Sequence, residues 1–239
     1  MVRYQSTNGK GILLVGDSRA VPVIPDHSVS VILTSPPYWV RGQGRESAIQ
    51  YARQIATGHG REWRRVLAPR GELWIIVGDR HDGREWIGMD GILTEGLRRA
   101  GWSLQTKAFW TEEPSTLRWD DRINYLLRFC KVGIRSLPPK STLCWHLPIP
   151  WSPRGSLWDA MPPGVVRRLL KLSPPGIVLD PFFGSGAVGA VAARMGRSWI
   201  GVERDRSQAR VAARRLRLRR ILGLAEDGAK LPLLFKQPK

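Results

Sequence analysis

Apolar positions along this chain come in two spacings. Short continuous runs, such as Ile12-Leu13-Leu14-Val15, Val31-Ile32-Leu33 and Ile177-Val178-Leu179, end in Gly, Thr or Asp. Strands buried on both faces of a parallel sheet read this way, whereas half-exposed strands alternate. The pattern predicts seven strands, at about 11–16, 29–34, 72–78, 104–109, 123–130, 176–180 and 198–203, with helices near 45–67, 85–100, 162–172, 186–195 and 206–222. Most strands alternate with helices, which argues a parallel sheet covered on both sides. No helix separates 104–109 from 123–130, so these should form an antiparallel hairpin at one edge. A chain of 239 residues suits one α/β domain spanning 1–239.

Two strand ends carry candidate chemistry. The run 29–34 leads into Thr34-Ser35-Pro36-Pro37-Tyr38-Trp39. Two prolines cannot continue a ladder and hold the preceding residues extended, so the backbone is stiff and its carbonyls point out of the sheet. A Ser hydroxyl, a rigid carbonyl and an aromatic face within four residues could grip an exocyclic amine and stack on its ring. Open α/β sheets bind ligands at such carboxyl ends. The alternative is an ordinary Pro-rich loop.

The second is Gly176-Ile177-Val178-Leu179-Asp180, running into Pro181-Phe182-Phe183-Gly184-Ser185-Gly186 and a small-residue helix. Glycines at a strand-to-helix turn admit close approach of a ligand and bring helix N–H groups to bear on it. The next strand ends in Glu203, at the distance where an acid suits the two hydroxyls of a ribose. In most nucleotide-binding sheets the glycine turn comes first; here only one strand follows it. The run 11–16, with Asp17 at its end, can supply the missing third strand of that half, which amounts to a circular permutation.

With these motifs in this order, the chain resembles the S-adenosylmethionine-dependent amino-methyltransferases of DNA (N4-cytosine and N6-adenine), specifically the permuted beta class in which the catalytic tetrapeptide precedes the cofactor glycines. The resemblance covers nearly the whole chain: Leu14 to Ser18 and Thr34 to Trp39, Gly42 to Glu46 with Tyr51, Arg65 to Gly71 through Asp79, Asp121 to Lys131, Trp145 to Pro163, and Asp180 to Glu203. It implies a circularly permuted, seven-stranded Rossmann-like methyltransferase fold with a mostly parallel sheet and an antiparallel edge hairpin. It implies Ser35, Pro36, Pro37 and Tyr38 as the catalytic turn. Asp17, Asp180, Phe182, Gly184, Ser185, Gly186 and Glu203 would hold S-adenosylmethionine: Glu203 on the ribose, Asp17 on the adenine amine, Phe182 against the adenine. Trp39, Arg41, Arg45, Arg118 and Arg122 would contact DNA, and residues 136–153 would be a short target-recognition insert. DNA is the implied partner, and a homodimer is compatible. The chain departs from the family at Ala187, where Thr is usual, at Ser30, where an acid is usual, and at Trp158 to Pro163, where the crossover usually carries His-Pro.

Composition adds to this reading. The net charge is +18, and 30 of the 38 basic residues are arginine. Such a field suits a polyphosphate partner, and arginine suits bidentate phosphate and guanine contacts. Part of the excess, around Arg214 to Arg220, reads equally as a solvated face. No apolar run is long enough to span a bilayer, no secretory pattern opens the chain, and Cys130 and Cys144 form neither a disulfide framework nor a metal spacing. The expectation is a cytoplasmic prokaryotic or phage protein, of the kind found in restriction-modification, with no metal. His27, His59, His81 and His146 read as surface or structural.

Within the family, Ser at the first tetrapeptide position goes with the cytosine amine and Asp with that of adenine, so N4 of cytosine is the expected target and N6 of adenine the alternative. Methylation at cytosine carbon five needs a thiolate, usually in a Pro-Cys pair, and neither cysteine follows a proline. An RNA methyltransferase and a catalytically decayed nucleic-acid-binding protein are the remaining alternatives.

Overall fold

The structure, a computed structural model, describes residues 2–37, 44–78, 85–111, 124–133, 144–146 and 161–221. Its centre is five parallel strands in the order β2 (Gly11–Val15), β9 (Trp199–Glu203), β8 (Val178–Asp180), β3 (Val29–Thr34) and β4 (Leu67–Gly78). Strand β2 therefore completes the half-sheet of β8 and β9, as the permuted order predicts. Beyond β4, the antiparallel pair β6 (Asn124–Lys131) and β5 (Trp102–Thr111) continues the sheet.

All seven expected strands are present, and the sheet has ten among the described residues. The three additional ones are short and border the predicted set: β1 (Val2–Gln5), β7 (Cys144–His146) and β10 (Arg219–Ile221). Because β7 pairs parallel with β5, the hairpin is not the outermost element at its end of the sheet. At the other end β1 pairs antiparallel with both β2 and β10. Strands of three or four residues carry too little pattern to announce themselves; a neighbouring edge with free backbone groups recruits them.

The alternation along each strand feeds two apolar layers. Ile12, Leu14, Ile32, Leu73, Ile75, Leu179 and Ile200 face helices α1 (Gly44–Gln54), α2 (Gly60–Val66) and α3 (Met89–Arg99). Leu13, Val31, Leu33, Trp74, Val178 and Trp199 face α4 (Pro163–Leu172), α5 (Ala187–Arg194) and α6 (Arg206–Arg215). Burial on both faces is why the strands read as unbroken apolar runs. No helix among the described residues is long and apolar enough to cross a membrane.

Two helices differ from expectation. The stretch expected at 45–67 is one rod, but a π-helical turn at Ile55–His59 joins α1 to α2. The stretch expected to run to 222 ends at Arg215, where Arg217 takes a left-handed conformation (φ 52°) and β10 follows. Leu216 and Leu218 both pack on the α6 side of the sheet while Arg217 and Arg219 are exposed. That is the two-residue period of a strand, not the period of a helix.

Candidate cofactor and target site

Parallel strands present their carboxyl ends along one edge, and the residues expected to hold the cofactor gather there. Asp17 follows β2, Glu203 ends β9, Asp180 ends β8 and Ser35 follows β3. The switch from one half of the sheet to the other lies between β8 and β3, the kind of crevice in which doubly wound sheets bind ligands.

The glycine turn is fixed from several sides. Gly184 N–H donates to Glu203 Oε2 (2.8 Å), and Asp205 N–H donates to Glu203 Oε1 (2.8 Å). The carboxylate is thus held in place by two backbone donors, and each oxygen keeps a lone pair for a hydroxyl donor. Phe183 N–H donates to the Val202 carbonyl (3.0 Å) and Gly186 N–H to the Phe183 carbonyl (2.8 Å). Gly184 and Gly186 both have positive φ, 50° and 83°, which side-chain-bearing residues adopt at a cost. Beneath the turn the Phe183 ring stacks on Trp199 (5.2 Å, 13°). A Cβ at Gly201 would lie 2.2 Å from that phenyl ring and one at Gly189 2.7 Å, so both glycines are required by the ring. Ser185 accepts at its Oγ from Arg215 (3.1 Å). Ala187, the departure from the family pattern, is buried as the first residue of α5.

Asp180 joins the two halves. It is buried, and its Oδ1 accepts from Thr34 Oγ1 (2.8 Å) across the switch point and from Phe182 N–H (3.1 Å). Burial pushes its carboxyl up to about 7; the two hydrogen bonds pull the other way, and the nearby Glu203 charge adds to the rise. One carboxyl oxygen thus ties the residue before Ser35 to Phe182 in the cofactor turn.

At the β2 end, both Asp17 oxygens are engaged by Arg19, through its backbone N–H (2.9 Å) and its guanidinium (2.5 Å), and that hydrogen bonding holds the Asp17 carboxyl below its ordinary value. Arg19 is exposed, so an amine arriving at Asp17 would share or displace a solvent-facing partner. The neighbouring Ser18 Oγ is hydrogen-bonded to His59 Nδ1 (3.0 Å). The His59 ring stands edge-on to Phe182 at 4.7 Å, and Trp63 stands edge-on to Phe182 at 6.1 Å. Burial pushes the His59 imidazole down to about 4, against the opposing pull of Asp17, so it is neutral near pH 7. A structural reading of the histidines therefore misses that His59 borders the site. The one signal for it in the chain was His59 and Trp63 at helical i, i+4 spacing.

At the target end, Ser35 is half-buried, Pro36 is buried and Pro37 is exposed. The Tyr51 hydroxyl, from α1, donates to the Pro37 carbonyl, and burial holds that phenol well above its ordinary value. Arg45, at the start of α1, donates to the Ile87 carbonyl (3.1 Å). Tyr38, Trp39, Arg41, Arg118 and Arg122 lie outside the described residues, as does the 136–153 insert apart from β7.

The donor set fits S-adenosylmethionine: a carboxylate pinned for two hydroxyls, a glycine turn open to close approach, and a partly open aromatic ring between them. Comparisons with known proteins agree. A family model described as DNA methylase, of the N6/N4 type, matches residues 159–214. The chain is 27% identical to the type II methyltransferase M.SmaI of Serratia marcescens, over 87% of this chain and 91% of that one. It is 25% identical to M.Cfr9I of Citrobacter freundii, over 85% and 87%. Among solved structures it superposes with a TM-score of 0.70 on a Thermus thermophilus protein, provisionally assigned as a DNA modification methylase and complexed with S-adenosylmethionine, at 26% identity over 85% of this chain and 92% of that one. The PvuII cytosine-N4 DNA methyltransferase shares the fold (TM-score 0.72, 17% identity, 97% and 92% covered). Motif order, sheet topology, cofactor turn and relatives agree: over most of its length the chain is similar to the S-adenosylmethionine-dependent N6/N4 amino-methyltransferases of DNA.

Proposed function

We propose that this protein methylates the exocyclic N4 amine of cytosine in DNA. The observation that carries the reading is Ser35, first residue of Ser-Pro-Pro-Tyr at the end of β3, one residue beyond the Thr34–Asp180 bond to the cofactor turn. An amine of a base is a poor nucleophile because its lone pair is delocalised into the ring. Ser35 Oγ and the Pro36 carbonyl accept its two N–H groups, draw the nitrogen toward a tetrahedral shape and aim the lone pair outward. Tyr38 stacks on the base, which has left the duplex because the amine is unreachable inside it. S-adenosylmethionine supplies a methyl group already activated on a sulfonium. The chain's own work is alignment and exclusion of water: Glu203 fixes the ribose, Phe182 and Asp17 the adenine, and the proton released from the nitrogen leaves through the acceptors that gripped it. Trp39, Arg41, Arg45, Arg118 and Arg122 serve the DNA.

The test is direct. The protein is incubated with S-adenosylmethionine and duplex DNA, the DNA is digested to nucleosides, and the methylated nucleoside is identified by mass. N4-methylcytosine is expected. N6-methyladenine would move the target while keeping the chemistry, and methyl transfer to RNA but not to DNA would overturn the substrate.

A further inference from the structure

We propose that His59 is a positioning residue for the adenine end of the cofactor site, acting through Phe182 and the Asp17-Ser18 turn. The inference rests on the assignment of Asp17 and Phe182 to the adenine. These two segments follow β2 and β8, which are not neighbours in the sheet, since β9 lies between them. One side chain reaches both: His59 is hydrogen-bonded to Ser18 (3.0 Å) and edge-on to Phe182 (4.7 Å). The edge-on arrangement directs ring hydrogens at a π face, a favourable geometry for aromatic pairs. Trp63, one turn further along α2, backs the same pair at 5.8 Å from His59 and is fully buried. Its indole Nε1 has no hydrogen-bond partner among the described residues, so it contributes shape rather than a polar bond.

The π-helical turn explains how a helix facing the core delivers this residue. Tyr51, Ala52, Ile55 and Ala56 pack into the apolar layer under the sheet. An extra residue in one turn rotates everything after it by about 100° relative to a regular α-helix. Ile55–His59 is the turn that absorbs it, and His59 is its last residue. The same rod carries Tyr51, which holds the Pro37 carbonyl, so one helix anchors the target turn at one point and the adenine end at another. A histidine kept merely for packing needs neither the hydrogen bond to Ser18 nor a break in helical period to reach it.

Three variants separate the contacts. His59→Ala removes both, His59→Phe keeps a ring against Phe182, and His59→Asn keeps a polar atom near Ser18. Affinities for S-adenosylmethionine and for adenosine are measured by calorimetry, with single-turnover methyl transfer at saturating cofactor and the melting midpoint of the unliganded protein. His59→Ala should weaken both ligands by about tenfold, the scale of one or two neutral contacts. His59→Phe and His59→Asn should each recover part of that loss, and the saturated rate should stay within about twofold. Unchanged affinities in His59→Ala would overturn the proposal. So would a slower saturated rate with affinity intact. If His59→Ala does not fold, the other two variants carry the comparison with wild type. Wild-type affinity in the same series tests the underlying cofactor assignment by itself.

Discussion

The two strand-end turns that face each other across the switch point are made rigid by opposite means. The cofactor turn, 181–186, is held by hydrogen bonds from Phe182, Phe183, Gly184 and Gly186 to Asp180, Val202, Glu203 and its own backbone. The target turn is stiffened covalently, by two proline rings that have no N–H to give. The first design suits a ligand bound the same way in every turnover, because its donors and acceptors can be committed in advance. The second commits the Pro37 carbonyl to Tyr51 and, on the proposed reading, keeps the Ser35 hydroxyl and the Pro36 carbonyl for a base that arrives from outside. Rigidity at the target end thus comes without using up the acceptors the chemistry needs.

This division can be broken one turn at a time. The largest effect should come from the cofactor side: Glu203→Ala should weaken S-adenosylmethionine binding by about 1.5–3 kcal/mol, roughly 10- to 150-fold in Kd. The saturated rate should be largely kept. Equal affinities by calorimetry would remove Glu203 from the ribose. Next, Ser35→Ala should slow single-turnover methyl transfer by about tenfold or more, with cofactor affinity near wild type. A wild-type rate would mean that this turn does not grip the amine. Smaller still, Tyr51→Phe removes one hydrogen bond to the Pro37 carbonyl and should cost about 0.5–1.5 kcal/mol, a 2- to 10-fold drop in the same rate. A loss confined to cofactor affinity would contradict the separation of the two turns.

A last effect, on stability rather than on binding or rate, concerns the carboxyl shared by both turns. Asp180 is raised to about 7 in the folded protein from an ordinary value near 4. Between those values the folded state binds the extra proton, so this group's contribution makes stability fall as pH rises from about 4 to 7, and the cost is fully present above 7. Asp180→Asn keeps an oxygen that accepts from Thr34 and Phe182 but cannot ionise. Its unfolding free energy, measured by denaturant titration, should lose that component of the pH slope. A slope identical to wild type would show that Asp180 does not titrate there.

How much of this was legible follows from where the information sits. Residues 11–15, 31–33 and 177–179 announced the central strands because burial on both faces demands unbroken apolar runs. The permutation was readable because Asp180, the glycines and Glu203 come so late. The π-helical turn was not, since inserting one residue breaks the periodicity by which helix faces are recognised, and His59 went with it. Strand β10 was read as helix because Leu216 and Leu218 continue an apparently helical stretch; the alternation that separates them spans too few residues to outweigh it. The Thr34–Asp180 bond joins positions 146 apart in sequence, and its partners meet only because β3 and β8 are neighbours.

The aromatic wedge under the glycine turn has a consequence for how this protein can change over generations. Phe183 fills the space that side chains at Gly189 and Gly201 would need, and Trp199 fills that of Gly11, where a Cβ would lie 2.2 Å from the indole. Five positions scattered from residue 11 to residue 201 therefore behave as one heritable unit of volume. A larger residue at any of the three glycines becomes tolerable only in a background where the facing ring has already shrunk. The effects of such changes are coupled and not additive. Drift at the cofactor turn should be confined to paired exchanges of size, each opening a route that the single steps close.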